Sequence, residues 1–269
     1  IKGYVNNGIT GKKKEGKPAA SYLFAGPPGV GKTYLASLMA KTLKIPFKVL
    51  DMSGYAHPND ISGLVGFERT WRASQPGVLT PFVMENPTSI ILVDEIEKAH
   101  STVKLLFLQV LEGARLYDKY YEKEVSFENV IIIFTTNCGK SLYEDNEGTN
   151  LSMLAESEVL EALQEDEAFP NELCSRFAAG NIIIFNHLEK HHLCQIVRKK
   201  LEESTKDIKE SHNVQLHYDK HLPELFLFQM GGNMDARIVS GRGAEKLKDC
   251  MGSFVSDSVG KYGKLTVNE

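Results

Sequence analysis

The sequence predicts an α/β fold: a P-loop-type parallel sheet sandwiched by helices, followed by a smaller, mainly helical unit. Three observations carry that expectation. Short apolar runs alternate with stretches of helical spacing, a glycine-rich turn joins one run to the helix after it, and helical patterns take over beyond Asn186. Strands that alternate with helices need crossover connections, and right-handed crossovers produce a parallel sheet.

Residues 11–18 (GKKKEGKP) are basic, broken by Gly and Pro and without periodicity, as expected of a solvated loop. Residues 21–25 (SYLFA) form the first buried-strand candidate. From Lys32 the spacing turns helical, with Leu35, Leu38, Met39 and Leu43 on one face and Pro46 as the stop. Phe47–Asp51 and Ser89–Asp94 read as the second and third strands. Residues 101–112 read as an amphipathic helix with Val103, Leu106, Phe107, Val110 and Leu111 as its apolar stripe and Gly113 as its C-cap. Residues 130–135 (VIIIFT) and 181–185 (NIIIF) supply the fourth and fifth strands. Helical patterns then cover 191–203 and 241–259, before a strand-like end at Lys264–Val267. A boundary near residue 187 divides the expected large domain, 1–186, from a small helical domain, 187–269.

Composition narrows the function. With 42% hydrophobic and 25% charged residues over 269 positions, the chain can bury a sizeable core. A net charge of −4 and a pI near 6.1 offer no broad phosphate-neutralising surface, which argues against a nucleic-acid partner. No apolar run approaches the roughly 20 residues that cross a bilayer, so no membrane partner is expected. No charged and then apolar leader opens the chain, so no secretory signal is expected. Beginning at Ile1 rather than Met, the chain reads as a fragment. The four cysteines, Cys138, Cys174, Cys194 and Cys250, form no CxxC pair and suit a reducing cytoplasm. His191, His192 and Cys194 do not share one helical face, and read as a helix start rather than a metal site.

Two motifs carry chemistry. Gly26-Pro27-Pro28-Gly29-Val30-Gly31-Lys32-Thr33 fits the Walker A pattern GxxxxGK[ST] and sits between a strand and a helix. Its glycines let successive N–H groups turn inward around an anion, and the helix beginning near Lys32 adds its positive end. Lys32 is expected to reach the β- and γ-phosphates of ATP, and the Thr33 hydroxyl to take a Mg²⁺ position. The second motif, residues 90–95 (IILVDE), is an apolar strand ending in two acids, about sixty residues beyond Lys32. Ligands bind at the carboxyl edge of a parallel sheet. Asp94 is expected to hold Mg²⁺ through water, and Glu95 to polarise the attacking water as general base. Read alone, the two acids could cap the next helix; the phosphate loop gives them a partner. ATP or ADP with Mg²⁺ are the expected cofactors.

Residues 94–100 (DEIEKAH), taken with the phosphate loop, resemble the C-terminal ATPase module of the Clp-type AAA+ unfoldases. The resemblance continues through Asp51-Met52-Ser53, Leu64-Val65-Gly66, Leu79-Thr80, Leu108-Gln109-Val110-Leu111 and Thr135-Thr136-Asn137. It runs on to Phe169-Pro170-Asn171-Glu172-Leu173 and residues 263–269, so it spans nearly the whole chain. It implies an ATP-hydrolysing module of a cytoplasmic, homo-oligomeric hexameric ring that pulls a polypeptide substrate through its pore. It also implies that Asn137 senses the γ-phosphate and that Arg176 projects into the neighbouring subunit's ATP. A second sensor arginine corresponds to Arg242 in Ser240-Gly241-Arg242-Gly243, with Arg237 as a competing match.

The expected substrate loop departs from the family pattern. Where the family places a Gly-Tyr-Val-Gly-like paddle, residues 67–78 read FERTWRASQPGV, with Trp71 as the aromatic in register and Arg69 and Arg72 beside it. The family's second pore-facing loop corresponds to residues 118–123 (DKYYEK), also altered. Residues 138–163 lack the Ile-Gly-Leu-like tripeptide of protease-coupled members, so docking to a peptidase is not expected. The alternative is a nucleotide-switched regulatory or assembly ATPase that does not thread substrate. A helicase or loader is disfavoured by the acidic balance.

Overall fold

β-branched and aromatic side chains dominate the strands. In chain order these are β1 (Ala20–Ala25), β2 (Phe47–Asp51), β3 (Ser89–Asp94), β4 (Arg115–Asp118), β5 (Lys123–Ser126), β6 (Val130–Thr136) and β7 (Asn181–Ile184). A computed structural model describes residues 16–68, 74–144, 151, 154–165, 171–178, 181–212, 215–230 and 264–267. Five of these strands form one sheet in the order β2-β3-β6-β1-β7, every pair parallel. β4 and β5 form a separate antiparallel hairpin.

Strand side chains alternate between the two faces of the sheet, and both faces are covered. Tyr22, Phe24, Ile90, Leu92, Ile131 and Ile133 face one way, against Ala36, Met39 and Ala40 of helix α1 (Lys32–Leu43). Leu23, Ile91, Val93, Ile132 and Phe134 face the other. Short helices α2 (Ile61–Val65) and α3 (Thr80–Glu85) contribute Leu64, Val65 and Val83 to this second layer. It is completed by α4 (Ser101–Gly113), α6 (Glu156–Glu165) and α7 (Asn171–Ala178), with the short α5 (Lys140–Glu144) before α6. Period-two burial on both faces is why the strand segments read as continuous apolar runs. Phe134 has no exposed surface and meets Phe107 edge-on at 5.7 Å and Phe177 at 5.0 Å. Phe134→Ala is expected to cost about 3–5 kcal/mol, read as a fall in the urea midpoint.

Two sequence expectations need correction. Leu38 is 42% exposed, whereas Leu35, Met39 and Leu43 pack toward the sheet as expected, joined by the buried Ala36 and Ala40. The two alanines let the helix approach the sheet closely, which a count of large apolar residues passes over. The α4 cap is Ala114, in the left-handed region at φ 48, while Gly113 is the last helical residue.

Chain direction positions the site. β1 leads through α1 toward the β2 edge, while β3 and β6 lead toward β7 through helices on the opposite face. The reversal of winding beside β1 opens a crevice at the carboxyl ends of β1, β3 and β6. Three loops converge there: residues 26–33, 94–98 and 136–138.

The chain divides into two compact units, residues 1–27 with 31–186, and residues 28–30 with 187–269. In the second unit α8 (Lys190–His212) buries Leu193, Val197, Leu201 and Ser204 along one stripe. Strands β8 (Gln215–Tyr218) and β9 (Lys264–Val267) pair in parallel, and α9 (Leu222–Met230) buries Leu227. The helical stretch expected at 241–259 lies outside the described residues, as do Arg237 and Arg242. Among the described residues no helix is long and apolar enough to cross a membrane.

Candidate functional site

The loop after β1 turns at Gly26, where a Cβ would sit 2.8 Å from both the Cβ and the carbonyl oxygen of Phe185. Only glycine fits so close to the neighbouring chain. The left-handed Gly31 (φ 98) then starts α1, so Lys32 and Thr33 stand on its first turn. Lys32 is only 6% exposed, and its ammonium donates to Gly26 O at 2.5 Å, Pro27 O at 2.8 Å and Asn137 Oδ1 at 2.8 Å. Pro28, Gly29 and Val30 complete the loop, with Gly29 at φ 76.

Thr33 and Asp94 come together across the crevice. Thr33 Oγ1 donates to Asp94 at 3.2 Å (Oδ1) and 3.3 Å (Oδ2). Sequence reasoning missed Thr135, whose buried hydroxyl donates to Asp94 Oδ1 at 2.5 Å and accepts from Glu95 N at 2.9 Å. It holds both acids at the end of β3 and lies within the Thr135-Thr136-Asn137 stretch. A hydroxyl and a carboxylate facing each other are hard oxygen donors, the kind Mg²⁺ prefers.

Glu95 takes the left-handed conformation at φ 56 and ψ 53, costly for a residue with a Cβ. Its two oxygens are bound separately. Asn137 Nδ2 donates to Oε1 at 3.2 Å and Lys98 Nζ to Oε2 at 2.5 Å. The carboxylate beside it raises the Lys98 pKa above the usual lysine value. Asn137 also donates from N to Glu97 Oε1 at 3.1 Å and from Nδ2 to the same oxygen at 3.2 Å. Lys104 Nζ donates to Glu97 O at 3.0 Å, and burial lowers the pKa of that lysine. Of the residues expected from the sequence, Lys32, Thr33, Asp94, Glu95 and Asn137 therefore meet in one crevice.

Arg176 is elsewhere. It stands on α7, 44% exposed, and pairs with Glu112, 45% exposed, near the end of α4. That end is tied to the start of β6 through Phe127 N to Ala114 O and Val130 N to Phe127 O. Arg176 thus lies toward the amino edge of the sheet, opposite its own phosphate loop.

Trp71, Arg69 and Arg72 lie outside the described residues, but the neck of their loop is described. It closes through Phe67 N to Gln75 O at 3.0 Å, Val78 N to Gly63 O at 2.9 Å and Leu79 N to Leu64 O at 3.0 Å. Gly77 allows this, since a Cβ there would stand 2.1 Å from Leu64 O. Residues 118–123, expected as a second loop, form the turn of the β4–β5 hairpin. The hairpin is bound to the neck through Lys119 N to Val65 O at 2.9 Å and through Thr80 Oγ1 to the buried Asp118 carboxylate.

Residues 17–179 match the AAA domain (Cdc48 subfamily) family. The chain is 38% identical over 199 residues to the ATP-dependent Clp protease ATP-binding subunit ClpE of Bacillus subtilis, covering 72% of this chain and 28% of that protein. It is 35% identical to the negative regulator of genetic competence ClpC/MecB of the same organism, covering 77% of this chain and 26% of that one. It is also 35% identical to the chaperone protein ClpB of Oceanobacillus iheyensis, covering 74% and 26%. The chain thus spans about a quarter of the length of these curated relatives.

Proposed function

The chain belongs to the Clp-type AAA+ family, and on that premise we propose that it is a Mg²⁺-dependent ATPase module that remodels protein substrates. The observation that carries this proposal is the convergence of Lys32, Thr33, Asp94, Glu95 and Asn137 at the carboxyl edge of β1, β3 and β6. Lys32 and the N–H groups of residues 26–33 would cradle the phosphates, and Thr33 and Asp94 would hold Mg²⁺. When bound, the ion neutralises charge developing on the phosphates. Glu95 accepts the proton of the attacking water, and Asn137 orients the reacting phosphate against it. In trans, Arg176 supplies a cation to the adjacent subunit's ATP, which makes turnover depend on assembly.

In this proposal residues 1–186 are the nucleotide-binding domain and 187–269 the lid that carries Arg242. The assembly is a cytoplasmic hexameric ring, and Trp71, with Arg69 and Arg72, grips an extended polypeptide. An indole can wedge against a chain without reading its sequence. Support comes from the closed neck, which brings Phe67 and Gln75 together on either side of the segment that carries Trp71. ATPase measured with an unfolded protein and with single-stranded DNA tests the substrate class. Stimulation by the unfolded protein alone is expected, and Trp71→Ala should abolish that stimulation without moving the melting temperature. No stimulation by either would favour a nucleotide-switched regulator. A fall of many degrees in the melting temperature of Trp71→Ala would make the indole a packing residue.

A further inference from the structure

Glu97 has no place in the mechanism above, although its carboxylate lies inside the crevice. Oε1 accepts two hydrogen bonds from one residue, the N and Nδ2 of Asn137. Oε2 is buried and has no hydrogen-bond partner in the protein. The backbone of Glu97 is fixed by a 3₁₀ turn, Ile96–Lys98, and by the buried Lys104, which donates to its carbonyl. A carboxylate held this firmly, with half of its acceptor capacity unused, is poorly explained as a stabilising contact, because a buried unpaired oxygen costs free energy.

The Asn137 amide supplies a rationale. An amide has a donor end and an acceptor end of nearly equal shape, so its direction must be set by its neighbours. On one side Lys32 offers only donors and takes Oδ1. On the other, Glu95 and Glu97 offer only acceptors and take Nδ2. Glu95 alone would fix the amide only while its carboxylate stayed in place, and a general base must be free to move toward water. Glu97 binds both Nδ2 and the backbone N, so it can hold Asn137 whether or not Glu95 leaves.

We propose that Glu97 is a positioning residue for ATP hydrolysis: it sets the direction of the Asn137 amide and keeps it aimed while Glu95 acts. This rests on the ATPase function proposed above. Misplacing a positioned group by about 1 Å can cost roughly 10²-fold in rate. Glu97→Ala is therefore expected to lower kcat roughly 10–100-fold, with ADP affinity within about twofold of the parent. Glu97→Gln keeps an acceptor oxygen and should recover kcat to within about threefold of the parent. In an Asn137→Ala background Glu97→Ala should cost no more than about twofold further, because residues acting as one unit are not additive.

Glu97→Met, of similar length and without an acceptor, replaces Glu97→Ala if the latter does not fold. The Asn137 side-chain amide signals, identified by their loss in Asn137→Ala, should shift in Glu97→Ala or Glu97→Met, an effect that needs no turnover. Parent kcat in both variants, a full additional loss in the double variant, or unmoved amide signals would each overturn the proposal. A parent chain without ATPase activity would instead sink the proposed function, and the amide signals would still decide whether Glu97 orients Asn137.

Discussion

Glu95→Gln is expected to bind ATP as the parent chain does and to hydrolyse it at least about 100-fold more slowly, since a positioned general base contributes roughly 10²–10⁴ in rate. Glutamine keeps the length of the side chain and an oxygen that can accept from Asn137 Nδ2, as Glu95 Oε1 does at 3.2 Å. The left-handed backbone at φ 56 is no harder for glutamine than for glutamate. Lys98 loses its carboxylate partner, but it is 51% exposed and can be solvated instead. Lys32→Ala should behave differently and weaken nucleotide binding itself. Fluorescent-nucleotide titration and phosphate release, run on both variants, separate the two roles. Parent-rate hydrolysis by Glu95→Gln would mean that another group is the base.

The second large effect is expected of Arg176→Ala, whose assembled form should lose roughly 10³–10⁵ in turnover, the range for a cation supplied in trans. The isolated subunit should keep its melting temperature. The Arg176–Glu112 pair is exposed at 44% and 45%, and such pairs contribute about 0–1 kcal/mol. Because Arg176 lies toward the amino edge of its own sheet, its removal should leave nucleotide affinity unchanged. Mixing Arg176→Ala with Lys32→Ala subunits should restore part of the activity, since some interfaces then pair an intact phosphate loop with an intact arginine. ATPase per subunit that does not vary with concentration in the parent, with no loss in Arg176→Ala, would sink the trans role.

The central sheet was legible because its strands are buried on both faces and so stand out as unbroken apolar runs. The converging side chains of the site were legible where one motif holds several of them, as in Gly26–Thr33 and Asp94-Glu95. Thr135, Glu97 and Lys98 were quoted within motifs but given no role. Their significance lies in hydrogen bonds between loops 40 positions apart or across one tight turn, which spacing does not encode. The left-handed backbone of Glu95 carries no sequence signal, since glutamate is not a residue expected there. The β4–β5 hairpin was hidden by its polar turn, although the inward Leu116 and Val125 flank it. Trp71, Arg69, Arg72 and Arg242 remain expectations from the family pattern.

The neck at Gly63–Leu64 and Val78–Leu79 has a consequence for how this chain can vary. The neck is closed by backbone bonds between residues 63–67 and 75–79 and by the close approach of Gly77 to Leu64. The sequence between the two sides of the neck is therefore expected to be exchangeable. Doubling the length of such a segment costs only about 0.6 kcal/mol in closure entropy, so the neck is expected to tolerate segments of different length. A segment from a relative is therefore expected to be accepted at the same root, with the melting temperature of the graft within a few degrees of the parent.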